Sequence, residues 1–259
     1  MTKNKKSPAG WGLLNELYAI GINMNLSKTP KQHFVHKVFA SIVKRYELLN
    51  TVLSMGQDRY WRKKVAAVAD IVPNQIIIDL CTGTGSLAVE IAKRLDTGKV
   101  IGVDFCGEML LKAKETIDNS RYKDKIEFVN GLAEDIPFDD NSFDCATIAF
   151  GLRNVESIQQ TFSQMRRVVK HEGKIISLEF VIPSSRIIRW LYYPYLKWIL
   201  PTIGQIINKN KMPYQYLSDS ISGFMSSQEL ANIMTGVGLK NVSWYNLSGG
   251  VVAVHIGYK

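Results

Sequence analysis

Apolar positions recur along the chain with two different periods, and the alternation between them predicts the order of the elements. Short continuous apolar runs predict buried strands, and apolar residues three and four positions apart predict helices. From Gln75 onward the two patterns alternate, which is typical of parallel strands joined by crossover helices. The predicted elements are strand 76–80, helix 86–95, strand 99–104, helix 107–118, strand 126–130, strand 143–150, helix 156–170 and strand 174–180.

The segments on either side of this alternation have other patterns. Apolar residues from Val38 to Leu53 recur at helical spacing, so we expect two or three helices before the sheet. After the sheet, helix 226–236 precedes two β-type runs, 240–247 and 250–258, which we expect to form an antiparallel pair. The predicted fold is α/β, with a Rossmann-like, mostly parallel sheet and an antiparallel C-terminal strand.

The most informative stretch of the chain joins the first predicted strand to the first crossover helix. The strand ends at Asp79, and Gly83 and Gly85 follow before the helix begins. Glycines allow a tight turn and a close approach of the backbone to a ligand, while a helix start offers unpaired N–H groups. A pyrophosphate here would meet a carboxylate, whereas a ligand with an ammonium and a sulfonium would be attracted to it. The loop therefore favours S-adenosylmethionine over a dinucleotide.

A second acid stands at the end of the next predicted strand. Asp104 can accept hydrogen bonds from both hydroxyls of a ribose, which NAD and S-adenosylmethionine share. It supports an adenosine cofactor without distinguishing the two. An ordinary strand-to-helix turn is the alternative interpretation of the glycine loop.

The net charge of +9 is unevenly distributed along the 259 residues. Residues 1–64 carry twelve Lys and Arg against three Asp and Glu, residues 65–182 carry thirteen against eighteen, and residues 183–259 carry seven against two. Basic flanks around an acidic centre indicate an anionic partner, either phospholipid headgroups or nucleic acid. A solvated surface with no partner is the alternative.

One basic and aromatic segment lies between the last parallel strand and the terminal helix. Pro183 to Lys211 contains five basic residues, no acidic residue, two Trp and three Tyr. Charges and prolines interrupt it, so we do not expect it to span a membrane. Aromatic rings interleaved with Arg and Lys suit the headgroup boundary, although a helical lid packed on its own domain fits equally well.

Three cysteines, Cys81, Cys106 and Cys145, show neither a C-x-x-C pair nor a nearby His at ligand spacing. We therefore predict no metal site and no disulfide framework, and a reducing, cytoplasmic location. The N-terminus starts basic, but Glu16 and several Asn interrupt its apolar stretch, so it is interpreted as an extension and not a secretory signal. The oligomeric state, a homodimer included, is left open.

Four motifs carry a specific family resemblance. They are YELLNTVLSMGQDRYWRK at 46–63, AEDIPFDDNSFDCATIAFGLRNV at 133–155, and YQYLSDSI with LSGGVVAVHIGYK near the end. From about Val38 onward, the chain resembles the C-methyltransferases of quinone biosynthesis, the demethylmenaquinone and ubiquinone-precursor family. The resemblance implies S-adenosylmethionine as cofactor, a prenylated hydroquinone as substrate, and a peripheral position on the inner face of the membrane.

The sequence pattern divides the chain into segments, and the resemblance adds cofactor contacts. The segments are an N-terminal extension 1–35, N-terminal helices 36–72, a cofactor-binding core 73–182, a basic-aromatic lid 183–225, and a C-terminal helix with a strand pair 226–259. The implied cofactor residues are Asp79, Gly83, Thr84, Gly85, Asp104, Phe105, Leu132, Ala133 and Ala149. Leu132 departs from the family pattern, in which an amide or carboxylate is common.

The chemistry of ring methylation identifies further candidates. Arg153, just beyond the fourth strand, is the first choice for stabilising a phenolate oxygen, and Asn154 for directing the hydroxyl. A salt bridge to a neighbouring carboxylate is the alternative for Arg153. Asp58, where the family commonly has His, is a candidate base only with a raised pKa or a relay water. The implied substrate residues, for each of which packing is the alternative role, are Tyr46, Asn50, Glu179, Tyr214 and Tyr216.

Other functions remain open at this level. Methylation of a small soluble phenol would use the same chemistry, and a NAD-dependent oxidoreductase would share the glycine loop and Asp104. A nucleic-acid methyltransferase would account for the basic flanks, but the chain has no N-P-P-Y-type motif and no Cys placed for attack on a base. We therefore expect no nucleic-acid partner.

Overall fold

The computed structural model describes residues 29–208 and 211–259. Most of the predicted N-terminal extension therefore lies outside the described residues. The ten helices that we number are α1 Pro30–Ile42, α2 Tyr46–Leu53, α3 Gln57–Val68, α4 Ser86–Ala92, α5 Gly107–Asp118, α6 Ile158–Val168, α7 Arg186–Pro194, α8 Leu200–Asn208, α9 Met212–Ser222 and α10 Ser227–Gly236. The strands are β1 Ile76–Leu80, β2 Lys99–Asp104, β3 Ile126–Asn130, β4 Phe143–Ala149, β5 Val169–Phe180, β6 Lys240–Leu247 and β7 Val252–Tyr258.

The strands form one seven-stranded sheet in the order β3-β2-β1-β4-β5-β7-β6. The five strands from β3 to β5 pair in parallel, and β7 lies antiparallel between β5 and β6. This confirms the predicted α/β fold and the antiparallel C-terminal strand. The chain reverses its strand order between β1 and β4, and the carboxyl ends of these strands form the edge where ligands bind in such sheets.

The two faces of the sheet are covered by different helices because successive side chains of a strand point in opposite directions. Ile78 and Ile101 belong to the apolar cluster that includes Phe162 of α6 and Leu230 of α10. Their neighbours in sequence, Ile77 and Val100, belong to the cluster that includes Trp61 of α3 and Ile91 of α4. The near-continuous apolar runs of the central strands are thus explained by burial on both faces.

Element boundaries differ from the prediction mainly at the start of β5. The predicted helix 156–170 ends at Val168, and the strand expected from residue 174 begins at Val169, which pairs with Phe143. A register shift follows, and Lys174 is the next residue to pair, with Cys145. Glu172 has a φ of 63° within this irregular stretch. The residues that separate the two elements in the sequence therefore form a bulge in the strand, remote from the cofactor loop.

The N-terminal helices and the basic-aromatic segment pack together at the carboxyl edge of the sheet. The first described helix begins at Pro30, earlier than the predicted start at residue 36. A third apolar cluster joins Leu49 of α2 to Leu200 of α8 and Tyr214 of α9, with a π-helical turn at Tyr195–Ile199 between α7 and α8. In the described part of the chain, no helix is long and apolar enough to cross a membrane.

Candidate active site

The loop between β1 and α4 makes a sharp turn at the carboxyl edge of the sheet. Cys81, Gly83 and Gly85 have φ angles of 51°, 57° and 80°, in the left-handed region that glycine tolerates best. The backbone N–H of Gly85 donates to the Thr82 carbonyl at 3.0 Å, which closes the turn. A Cβ atom at Gly85 would lie 3.0 Å from the Phe128 ring. Both conformation and space therefore require glycine at this position.

Asp79 lies beneath this loop with only 1% of its surface exposed. One carboxylate oxygen accepts a hydrogen bond from the Thr82 hydroxyl and the other from the Thr147 hydroxyl, both at 2.7 Å. Burial raises the pKa of Asp79 to about 6 although both hydrogen bonds oppose the shift. Thr147 lies opposite Asp79 in the β1–β4 register. Asp79, which we expected at the mouth of the site, thus stabilises the loop through its hydrogen bond with Thr82.

Asp104 stands at the end of β2, directly beside the glycine loop. Its carboxylate accepts hydrogen bonds from the backbone N–H of Gly83 at 2.8 Å and from that of Cys106 at 2.9 Å. Burial raises the pKa of Asp104 to about 6, against these donors. The side chain thus ties the loop after β1 to the loop after β2.

The predicted cofactor residues around Asp104 enclose a small cavity. Its volume is about 20 Å³, and its lining is Gln32, Cys81, Asp104, Phe105, Gly131, Leu132, Ala133, Glu134, Asn154 and Val155. Asp79, Gly83 and Gly85, described above, do not line it, and neither do Thr84 and Ala149. Thr84 donates its hydroxyl to Glu47 of α2, and Ala149 is the partly buried last residue of β4. Because Gln32 belongs to α1, the N-terminal helix forms part of this cavity wall.

A second cavity, of about 420 Å³, lies among α1, α2, α3, α7 and α9. Its lining is predominantly apolar and aromatic, as is usual for small-molecule sites. The predicted site residues that border it are Tyr46, Asn50, Asp58, Arg153, Asn154, Tyr214 and Tyr216. We call it the ring cavity.

Arg153 contacts Glu179, and both side chains are almost fully buried. The ion pair that the sequence left as an alternative is therefore present, and Arg153 also borders the ring cavity. Its guanidinium lies 5.2 Å from the centre of the Phe180 ring. Burial lowers the pKa of Arg153 to about 10, so the side chain remains charged at neutral pH.

Asn154 is the residue that the two cavities share. Its Oδ1 accepts a hydrogen bond from the Tyr216 hydroxyl at 2.9 Å, and its Nδ2 donates to the Phe150 carbonyl at 3.3 Å. Its amide is thereby fixed between the cofactor loop region and the lid. A methyl group passing from one cavity to the other would pass this side chain.

Asp58 is buried on α3 and already has polar partners. One oxygen lies 2.5 Å from Nη1 of Arg62, one turn further along the helix, and the other accepts from the Ser54 hydroxyl at 3.1 Å. The Arg62 guanidinium also lies 5.9 Å from the centre of the Phe150 ring. Both carboxylate oxygens are thus engaged by neighbouring donors, so Asp58 orients Arg62.

The remaining predicted substrate residues differ in their surroundings. Burial raises the pKa of Tyr46. Tyr214 is 2% exposed, and its hydroxyl has no hydrogen-bond partner in the described part of the chain. His255 is fully buried on β7, where its Nε2 lies 2.9 Å from the Ser227 carbonyl.

Comparison with known proteins places this arrangement in a family. The profile of the ubiE/COQ5 methyltransferase family matches residues 26–259. The chain belongs to that family. It is 40% identical to a demethylmenaquinone methyltransferase of Desulfitobacterium hafniense (strain Y51), over 91% of this chain and 94% of the relative. It is 36% identical to the demethylmenaquinone methyltransferase of Bacillus subtilis (strain 168), over 88% of this chain and 98% of the relative.

A solved structure confirms the fold independently. A SAM dependent methyltransferase from Aquifex aeolicus superimposes with a TM-score of 0.56 at 17% identity, covering 76% of this chain and 88% of that one. As a member of the ubiE/COQ5 family, the chain is an S-adenosylmethionine-dependent methyltransferase, as the sequence predicted.

The residues of the small cavity fit this cofactor chemically. Asp104 offers carboxylate oxygens to a ribose, and Leu132 and Ala133 offer apolar surface to an adenine. Gln32 of α1 lines the same cavity, so the N-terminal helix lies beside these residues.

Sequence reasoning missed several residues that shape the site. Arg62, Trp61, Phe150 and Phe180 border the ring cavity, and Trp61, Phe150 and Phe180 pack with ring centres 5.0 to 5.9 Å apart. Arg62 could have been found, because it follows Asp58 by one helical turn within a quoted motif. The aromatic trio comes from three separate elements, and nothing in its sequence spacing indicates the contact.

Proposed function

We propose that this enzyme methylates a ring carbon of a prenylated hydroquinone, in a reaction of the demethylmenaquinol to menaquinol type. The observation that carries the proposal is Asn154, which borders both the Asp104 cavity and the apolar ring cavity. A methyl donor held in the first cavity and an aromatic ring held in the second would meet there. The names of the relatives from Desulfitobacterium hafniense and Bacillus subtilis support this substrate class.

The ring cavity suits the chemistry of such an acceptor. S-adenosylmethionine, when bound, supplies a methyl group that is already activated. The protein then has to orient the ring, exclude water and stabilise negative charge on a ring oxygen. Arg153 offers a buried positive charge for that oxygen, and the Tyr216–Asn154 pair offers a fixed polar edge. Trp61, Phe150 and Phe180 line the apolar wall.

The substrate class is tested by product analysis. Purified enzyme with S-adenosylmethionine and a reduced demethylmenaquinone in detergent should give a product heavier by one methyl group, with the methyl on the ring carbon. A water-soluble hydroquinone of the same ring, without the prenyl chain, should be methylated far less efficiently. Equal efficiency with both acceptors would favour the small phenolic substrate instead.

We propose further that the enzyme takes its substrate from the inner face of the membrane through the lid. The large apolar side chains that the lid exposes are Ile187, Trp190, Leu191, Tyr193, Trp198, Ile199, Ile206 and Met212. Leu191 also borders the ring cavity, so the exposed surface continues into it. Aromatic rings flanked by Arg189 and Lys197 suit the headgroup boundary.

Two lid tryptophans test this membrane contact. Trp190 and Trp198 are 75% and 63% exposed and do not border the ring cavity. We expect Trp190→Ser and Trp198→Ser each to weaken partition onto phosphatidylcholine vesicles by about tenfold, because each removes a side chain that the membrane would bury. Trp244→Ser on β6, which is 36% exposed, is the matched control and should leave partition unchanged. Sedimentation of the protein with vesicles measures all three.

A further inference from the structure

A second cleft, which shares Asp58 and Arg62 with the ring cavity and Thr84 with the cofactor loop, has the character of an anion site. It has a volume of about 430 Å³ and lies among the turn before α2, α3, α4 and α5. Six cationic side chains and three carboxylates line it, which leaves an excess of three positive charges. The hydroxyls of Thr84, Ser86 and Thr116 add further polar contacts. We call it the basic cleft.

The three carboxylates of the basic cleft already have partners. Glu47 accepts from the Thr84 hydroxyl, Asp58 pairs with Arg62 at 2.5 Å, and Glu90 pairs with Lys93 at 2.5 Å. A further lining residue, Lys112, pairs outside the cleft with Glu115 at 2.9 Å. None of these acids neutralises the remaining cations.

The remaining cations are Lys44, Arg59 and Lys63, all exposed. In residues 29–208 and 211–259, none of the three has a carboxylate within salt-bridge distance. Arg59 and Lys63 stand one turn apart on α3, where like charges repel and destabilise a helix. Bound phosphate oxygens would relieve that repulsion and would be contacted from two elements.

Exposed aliphatic side chains lead from the basic cleft to the mouth of the ring cavity. Leu48, which is 55% exposed, borders the cleft, and Met55, which is 78% exposed, borders the ring cavity. Val52, 40% exposed, lies between them, one turn beyond Leu48 on α2. A phospholipid carries its phosphate next to its acyl chains. Cations beside a row of exposed aliphatic side chains therefore match such a lipid.

We propose that the basic cleft binds the phosphate of an anionic phospholipid and thereby places the mouth of the ring cavity on the membrane. Lys44, Arg59 and Lys63 contact the phosphate, and Leu48, Val52 and Met55 contact the acyl chains. This inference rests on the proposed delivery of a quinol from the membrane, and it adds a headgroup-specific site to the apolar contact made by the lid. The protein then binds with two surfaces, one on each side of the cavity mouth.

Charge-removing variants test the cleft on vesicles. The triple variant Lys44→Gln, Arg59→Gln, Lys63→Gln should lose about a hundredfold in binding to vesicles of phosphatidylcholine with phosphatidylglycerol, at about fivefold per charge. Its binding to phosphatidylcholine alone should be unchanged. The matched control is Arg94→Gln, Lys114→Gln, Lys123→Gln, which removes the same charge from exposed positions outside the cleft. Equal losses in both triple variants would overturn the proposal, because net charge alone would explain them.

Soluble probes separate a lipid site from a general phosphate site. Calorimetry with a short-chain phosphatidylglycerol below its micelle concentration should show binding that the cleft variant loses and the control variant retains. Inorganic phosphate should bind much more weakly. If phosphate bound as tightly as the lipid, the acyl contacts would be refuted and the assignment to a phospholipid would fall.

Turnover in detergent distinguishes failure of this inference from failure of the proposed function. Lys44, Arg59 and Lys63 do not border the ring cavity, so the cleft variant should methylate a detergent-solubilised demethylmenaquinol at the wild-type rate. A normal rate together with unchanged vesicle binding would refute the cleft and leave the function standing. Absence of turnover in the wild-type enzyme would count against the function, whatever the cleft binds.

Discussion

Replacing Arg153 by Gln is expected to lower kcat for quinol methylation by roughly a hundred- to a thousandfold, the usual effect of removing one stabiliser of a developing oxyanion. The guanidinium borders the ring cavity and is charged at neutral pH. No other described group that lines the cavity occupies its place beside the Phe180 ring, so none substitutes for its charge there. The same change leaves Glu179, which is fully buried, without its cation. Thermal unfolding should therefore show a loss of about 3–5 kcal/mol in stability.

The double variant Arg153→Gln, Glu179→Gln separates these two effects. Two amides of similar shape can pair in place of the ions, so the free energy of unfolding should recover most of the loss. The rate should not recover, because the positive charge is still missing. Recovery of kcat along with stability would show that Arg153 acts only through folding, and the proposed oxyanion role would then be wrong.

The fold could be predicted from the sequence because its most regular apolar runs belong to buried strands. The runs at β1 and β2 are apolar except for Lys99, Asp79 and Asp104, and nearly all their residues are buried against helices on both faces of the sheet. The stretch before Lys174 is ambiguous in the sequence, because the same polar residues fit either a bulged strand or a turn that follows the end of a helix. The pairing of Val169 with Phe143 decides between them, and that contact depends on the tertiary structure.

The candidate site, too, could be predicted from the sequence only in part. Asp104 and the glycines follow from their place at strand ends, where parallel strands bring their carboxyl termini together. Asp79 shows the limit of this reasoning. Its position at the end of a strand is equivalent to that of Asp104. Its hydrogen-bond partners, however, are Thr147 of the neighbouring strand and Thr82 of the loop. The partners of a buried carboxylate, which decide its role, come from other elements.

The basic flanks of the sequence also acquire a location in the structure. Lys44, Arg59 and Lys63 come from the first basic segment, and Arg189 and Lys197 from the last. The first set lines the basic cleft and the second lies on the lid, whereas the acidic centre of the chain forms the five parallel strands. A count of charges by segment could indicate an anionic partner, but it could not show which of the cations line a cleft.

Replacing Asp104 by Asn is expected to weaken binding of S-adenosylhomocysteine by about 2–4 kcal/mol, or roughly thirty- to a thousandfold, since two hydrogen bonds from ribose hydroxyls to a charged acceptor are lost. The wild-type affinity should also depend on pH. The pKa of Asp104 is about 6, and the ribose hydroxyls donate to the ionised form, so affinity is constant above pH 6 and falls as the pH drops below it. Calorimetric titration between pH 5 and pH 8 measures both effects, and the profile of the Asp104→Asn variant should be flat.

Asp79 is the matched control for this prediction, because its pKa is also about 6 and its carboxylate is equally buried. Asp79→Asn keeps its hydrogen bonds, since the Thr82 and Thr147 hydroxyls can accept as well as donate, whereas the backbone N–H groups around Asp104 can only donate. Its affinity for S-adenosylhomocysteine should therefore stay within about tenfold of wild type and keep its decline below pH 6. If Asp79→Asn abolished the pH dependence and Asp104→Asn preserved it, Asp79 would be the carboxylate that senses the cofactor, and the assignment of the ribose to Asp104 would be wrong.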